Sequence, residues 1–354
     1  MALRVGQVLR GARGSYELLQ ALKGSTVFKA KVLSSPVINS EWAMVKTADT
    51  KIEKMCLERE YLNYRHVAIA SSPHIRSLYD AVHAAKATGE PSTDVPSSLV
   101  YEWMDHPLDH VHHASFRSHP ILPKAVLKST LSALKVFKAF NRVHADINPC
   151  NIFISDIHST CPVVKLGDLG MAGPERWTTQ RLQRLPYRAP EVWQGLGTQH
   201  ASDIWSLAVT LTGSLSRFPV FGPLENRIEA PTEAWCIAKI MHLVGSLPQP
   251  VGNEIYQKEY ELAERIRIMK HPLASRKLMG SLNWRETLEL IPDPPVPQNV
   301  LEFLEYLLVI DPEKRPTASE ALSHSYFQGE EVPRLHSDTP WHDVNRQRET
   351  MEVF

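Results

Sequence analysis

Residues Val143 to Phe153 read VHADINPCNIF. His144 stands two residues ahead of Asp146, and Asn151 follows that aspartate by five. A carboxylate and an amide at such a spacing are a weak signal alone, so their meaning depends on what the rest of the chain supplies in order. The 354 residues are 43% hydrophobic, enough for one large or two coupled domains. The 39 basic residues balance the 39 acidic ones, with no long block of either sign. That balance argues against nucleic acid or an anionic membrane as the main partner. Cys56, Cys150, Cys161 and Cys236 form no CxxC pair, which fits free thiols in a reducing compartment. No apolar run approaches the roughly 18 residues needed to span a bilayer, and the N-terminus lacks the apolar stretch of a secretory signal. The expectation is a monomeric cytoplasmic protein, or a nuclear one.

Strand patterns occupy Tyr16–Gln20, Val27–Val32 and Glu41–Lys46, with a turn at Gly24 between the first two. Residues 51–66 read as a helix, and two further strands are expected near His74–Ala81 and Ser98–Trp103. The polar stretch ATGEPSTDVPS between those strands reads as an exposed loop. From residue 123 onward helical patterns dominate, at Pro123–Asn141, Ser202–Ser214, Glu233–Val244, Val300–Val309 and Ala318–His324. The fold class expected is α+β, a small β-rich lobe with one helix followed by a larger helical lobe. The corresponding division is a leader 1–15, a small lobe and hinge 16–104, a large lobe 105–327 and a tail 328–354. That tail is charged and reads as extended, docked through Trp341.

The partners of Asp146 appear in sequence. Ala43-Met-Val-Lys46 ends a strand pattern, Asp168-Leu169-Gly170 follows the strand-like Pro162–Leu166, and Ala189-Pro190-Glu191 lies beyond it. Asp203-Ile-Trp205 opens a helix, and Arg315 sits in DPEKRPTA. Together these segments, in this order, resemble the eukaryotic protein kinases over roughly residues 16–327. The resemblance implies ATP and Mg²⁺, and a protein substrate phosphorylated on serine or threonine. It implies that Asp146 takes the substrate proton, that Lys46 holds the phosphates, and that Asn151 and Asp168 hold the metal ions. Gly24 and Val27 would lie over the phosphates. Ala43, Glu102, Met104 and Phe153 would enclose the adenine, with backbone groups of Glu102 to Met104 binding it and Tyr101 behind. A helical glutamate should fix Lys46. Glu58 and Glu60 are two apart and face opposite ways; Glu60, flanked by Leu57, Tyr61 and Tyr64, is the choice, with Glu58 the alternative.

Within the kinases the chain is similar to the SR-protein kinases of the CMGC group. Gly24-Ser-Thr-Val-Phe28, Ala145 for the usual arginine, Ile147 and Leu169 carry that likeness, and AWCIAKIMHLVGSLP carries the wider group's pattern. Ala145 cannot grip a phosphorylated activation loop, so constitutive activity is implied. Asn148 replaces the lysine of this loop, and Gln20 and Leu22 replace two glycines of the phosphate loop. An uncharged amide at 148 would assist the γ-phosphate weakly and make a slow enzyme.

Competing readings are a pseudokinase scaffold, favoured by these departures, and a small-molecule kinase of the aminoglycoside or choline type. The latter lacks the Ala-Pro-Glu, Asp-Ile-Trp and Arg315 set. A hydrolase using Asp146 and Asp168 as an acid–base pair is disfavoured by the same context. His144 reads as a packing residue. The run His106, His110, His112 and His113 reads as a solvated helix beginning after the hinge, not as a metal site. Cys150 has no neighbour marking it as a nucleophile.

Overall fold

A computed structural model describes residues 3–83, 95–224, 228, 230–271 and 277–328. Most of the stretch ATGEPSTDVPS, and the tail with Trp341, lie outside them. The small lobe is an antiparallel sheet of β1 (Val8–Arg10), β2 (Ser15–Lys23), β3 (Val27–Ser34), β4 (Trp42–Thr47), β5 (Leu78–Val82) and β6 (Ser98–Glu102). Their spatial order is β1-β2-β3-β4-β6-β5. The first strand falls inside the segment expected as a leader. It pairs with β2 through Val8↔Glu17, Leu9↔Tyr16 and Arg10↔Ser15, so the lobe begins earlier than the pattern suggested. Leu9, Tyr16, Leu18, Phe28, Ala30, Val45 and Val100 form the core of this sheet. The Tyr16 hydroxyl donates to Asp80 at 2.9 Å, satisfying a buried polar group at the edge of that core.

Between β4 and β5 lie α1 (Lys51–Tyr64) and the short α2 (Val67–Ala70). Thr50 and Glu53 cap the start of α1 reciprocally, side chain to backbone in both directions. The face that α1 buries is Leu57, Glu60, Asn63 and Tyr64, so half of its inward stripe is polar. The hinge leads to β7 (His106–Pro107), α3 (His113–Ser118) and α4 (Leu122–Ala139). The four-histidine run is therefore not one helix: a strand and a 3-10 turn, Leu108–His110, precede α3. Pro107 lacks an amide donor, which favours such a break.

After α4 come β8 (Arg142–Val143), β9 (Ile152–Ser155), β10 (Val163–Leu166) and β11 (Gly173–Pro174), then α5 (Pro190–Trp193) and α6 (His200–Leu215). The rest is α7 (Thr232–Leu243), α8 (Glu254–Ile268), α9 (Trp284–Glu289), α10 (Gln298–Leu307) and α11 (Ala318–Leu322). The α6 helix is buried on nearly every side, from Ser202 to Thr212, and serves as the pillar on which the catalytic segments rest. The α+β two-lobed architecture is the one expected. Among the described residues no helix is long and apolar enough to cross a membrane.

Candidate active site

The loop after β8 is held from below by α6. Asp203, in the first turn of α6, accepts the backbone amides of His144 at 2.7 Å and Ala145 at 2.9 Å. These bonds support Ala145 at φ 62°, a left-handed backbone rare for a residue with a Cβ. His144 is fully buried. Its Nδ1 accepts from the Asp146 amide at 3.3 Å, so Nε2 carries the proton and donates to the Gly167 carbonyl at 3.0 Å. Burial holds the ring neutral, pulling its pKa down to about 4. This histidine thus ties the Asp146 loop to the residue before Asp168, a fixing role and not a chemical one.

Asp146 and Asn151 meet directly. Asn151 Nδ2 donates to the Asp146 carboxylate at 2.9 Å and to its carbonyl at 2.8 Å. With Nδ2 so used, Oδ1 is the acceptor end of the amide. Burial raises the Asp146 carboxyl to about 6, against the pull of Arg184 and the neighbouring amides. A carboxylate of that basicity suits proton acceptance near neutral pH.

Asn148 does not lie where the sequence suggested. It is fully buried, with Nδ2 donating to the Asp146 carbonyl at 2.9 Å and Oδ1 accepting the Cys150 amide at 3.0 Å. Both ends of the amide are spent within the loop, at the start of the 3-10 turn Pro149–Asn151. A short Asx-type side chain favours such local capping over reaching into a cleft. In this arrangement Asn148 has a structural role within the loop. Cys150, beside it, faces Asp109 at 3.4 Å, and burial together with that carboxylate raises its thiol pKa. Its thiolate is correspondingly disfavoured.

Across the cleft, Lys46 on β4 places Nζ 2.7 Å from Glu60 and 2.9 Å from Asp168. Glu60, not Glu58, is the inward residue, and Glu58 is exposed. Burial opposes the charge of Lys46, yet the two carboxylates outweigh it and keep the ammonium strongly basic. Burial likewise opposes ionisation of Asp168, and Lys46 overrides it, holding the carboxyl down at about 2. The α1 helix grips the Asp168 segment at further points that sequence reasoning missed. Glu60 accepts the Leu169 amide at 3.2 Å, Asn63 donates to the carbonyls of Leu169 and Ala172, and Arg59 donates to Gly170. Asn63 could have been found, since it sits three residues after Glu60 on the same face.

The residues expected to enclose an adenine also converge. Ala43 is buried and paired with Glu102 across β4 and β6, Met104 is buried, and Val27 and Phe153 are half-buried. Two details were not legible. The Glu102 carboxylate is held by Lys165 at 2.7 and 2.8 Å, and its carbonyl accepts Arg76 Nε at 2.8 Å. Arg76 is itself buried, its guanidinium 4.3 Å from the centre of the Phe153 ring. Gly167 makes room for this stack, because a Cβ there would lie 2.8 Å from Phe153. The phosphate-loop hairpin of β2 and β3 forms without the missing glycines, turning at Gly24 with φ 51°.

The activation segment is pinned by contacts of the chain's own residues. Arg181 is paired with Glu259, donates to the Trp193 carbonyl at 2.8 Å and stacks on Tyr256. Arg188 donates to the Leu182 and Gln183 carbonyls, and Gln183 bonds Ser202, Ser206 and the Ala189 amide. Thr178→Ala combined with Thr179→Ala should therefore change the rate of any phosphotransfer by less than about twofold. A tenfold fall on the same substitution, or on phosphatase treatment, would show that a phosphorylated segment is required.

Comparison with known proteins agrees with this geometry. The protein kinase domain family model matches residues 23–327. The chain is 29% identical over 266 residues to the serine/threonine-protein kinase SSN3 of Candida albicans, covering 68% of this chain and 41% of that protein. It is 28% identical over 249 residues to cyclin-dependent kinase 20 of Rattus norvegicus, covering 68% and 64%. The chain spans 41% to 58% of the length of the first SSN3 relatives. A crystallographic kinase domain superposes with a TM-score of 0.63 at 16% identity, over 92% of this chain and 98% of that one, a likeness of fold. These relatives agree with the wider CMGC placement, whereas the likeness to SR-protein kinases rests on the sequence features alone.

Proposed function

Because the chain belongs to the protein kinase family, we propose that it transfers the γ-phosphoryl group of ATP to serine or threonine hydroxyls of a protein substrate, without needing activation-loop phosphorylation. The observation that carries this is Lys46 Nζ held between Glu60 and Asp168. A half-buried ammonium paired with a carboxylate on each side is the arrangement that phosphate positioning uses, and it favours catalysis over a scaffold role. Lys46 positions the α- and β-phosphates. Asp146 accepts the proton of the substrate hydroxyl as its oxygen bonds the γ-phosphorus, and the bond to the bridging oxygen breaks with its electron pair leaving on ADP.

The fold family implies Mg²⁺. The carboxylate of half-buried Asp168 and the acceptor end of Asn151 are hard oxygen donors of the kind that ion takes, and they would hold it. When bound, it neutralises phosphate charge. The chain's own contribution is a fixed geometry: His144, Asp203 and Asn148 hold the loop, and Asn63 and Arg59 hold the Asp168 segment.

Thermal denaturation tests the binding half of this reading. Mg·ATP should stabilise the protein, by about 2.7 kcal/mol at a hundredfold excess over its Kd. The gain should vanish in Asp168→Asn. No stabilisation at millimolar nucleotide would sink nucleotide binding and leave the scaffold reading in its place. Transfer of labelled phosphate from ATP to a peptide array tests the chemical half.

A further inference from the structure

Asn148 carries no charge and spends its amide within its own loop, whereas a cation from elsewhere in the chain approaches Asp146. Arg184, from the activation segment, lies with Nε 3.4 Å from Asp146 Oδ1, on the carboxylate oxygen not used by Asn151. Its Nη1 rests 3.8 Å from the Cys150 sulfur. Among the described residues the guanidinium has no other polar partner shown, and its side chain is 46% exposed. The neighbouring arginines are occupied elsewhere. Arg181 is paired with Glu259, Arg188 bonds the Leu182 and Gln183 carbonyls, and Arg176 donates to Gln199.

With Arg184 46% exposed and the contact as long as 3.4 Å, this ion pair contributes little to stability, so stability does not account for its position. A fixed positive group beside developing negative charge is, by contrast, what phosphoryl transfer needs. We propose that Arg184 is a positioning residue of the transfer step: it orients Asp146 toward the incoming hydroxyl and holds beside that carboxylate a positive charge that Asn148 cannot supply. The proton still passes from the hydroxyl to Asp146, and the electron pair still leaves on ADP. Arg184 exchanges neither.

The inference rests on the kinase reading, and the test separates the two. Single-turnover transfer, KM for ATP and thermal stability are measured for the wild type, Arg184→Ala, Arg184→Lys and Arg184→Ala/Asp146→Asn. A wild type with no transfer at all sinks the kinase reading, and this inference with it. With an active wild type, Arg184→Ala should lower kcat about tenfold or more, leaving KM for ATP and the melting temperature nearly unchanged. Arg184→Lys should recover part of the loss, and Arg184→Ala should cost nothing further once Asp146 is asparagine. An Arg184→Ala variant within twofold of the wild type overturns the inference. So does a faster one, which would make Arg184 a plug over Asp146. An equal loss in Arg184→Lys accompanied by a lowered melting temperature would also overturn it, in favour of a purely structural contact.

Discussion

Replacing Asp146 with asparagine should lower phosphoryl transfer by about 10²- to 10⁴-fold while leaving stabilisation by Mg·ATP in place. The substitution keeps the size and planarity of the side chain. It also keeps an oxygen that can accept Asn151 Nδ2, now 2.9 Å from the carboxylate. What it removes is the capacity to take a proton, which burial has tuned to about 6 in the native carboxyl. Lys46 and Asp168, proposed to carry the nucleotide side of the site, are bonded to each other and not to Asp146. Binding and chemistry should therefore separate cleanly. Equal loss of both would mean that Asp146 organises the nucleotide site, and transfer surviving within tenfold would mean that the proton goes elsewhere.

The order of motifs in the sequence singled out Lys46, Asp146, Asn151 and Asp168, and the structure pairs Lys46 with Asp168 and Asn151 with Asp146 although the latter two lie in a loop and a 3-10 turn with no periodic pattern. The choice of Glu60 over Glu58 came from its apolar neighbours, and the structure agrees because Leu57 and Tyr64 share its buried face. The same helix shows the limit. Two of its four buried residues are polar, so periodicity alone gives it little amphipathic signal. The α8 helix was not anticipated at all. Its buried stripe is only Tyr260, Ala263 and Ile266 amid charged residues, although the Asn253 cap marks its start. The local bonding of Asn148 was not legible for a different reason. Sequence position tells which loop a side chain occupies, but not whether its amide turns to the cleft or back into the loop. Arg184 was illegible for the complementary reason, since its nearness to Asp146 is a contact across 38 residues that only the folded segment creates.

The second large effect concerns the far end of that segment. Arg315 and Glu191 are both fully buried and joined by two bonds, at 2.8 and 3.1 Å. Arg315 also donates to the carbonyls of Ala201, Val309 and Ile310, and Ser202 donates to Glu191. The pair therefore fastens the end of the activation segment to the first turn of α6. One residue further on, Asp203 holds the His144 and Ala145 amides. Arg315→Met should destabilise the fold by about 3–5 kcal/mol, because it strands a buried carboxylate and several carbonyls without donors. Transfer should fall with it, since the base of the Asp146 loop loosens. Adding Glu191→Gln should restore part of the stability, as the uncompensated charge is then gone, though the carbonyls remain unpaired. Denaturant midpoints for the two single variants and the double variant measure the coupling directly. A loss under about 1 kcal/mol in Arg315→Met would show that the segment is held by Arg181, Arg188 and Gln183 alone. A double variant no more stable than Arg315→Met would show that the cost lies in the broken carbonyl bonds and not in the stranded charge.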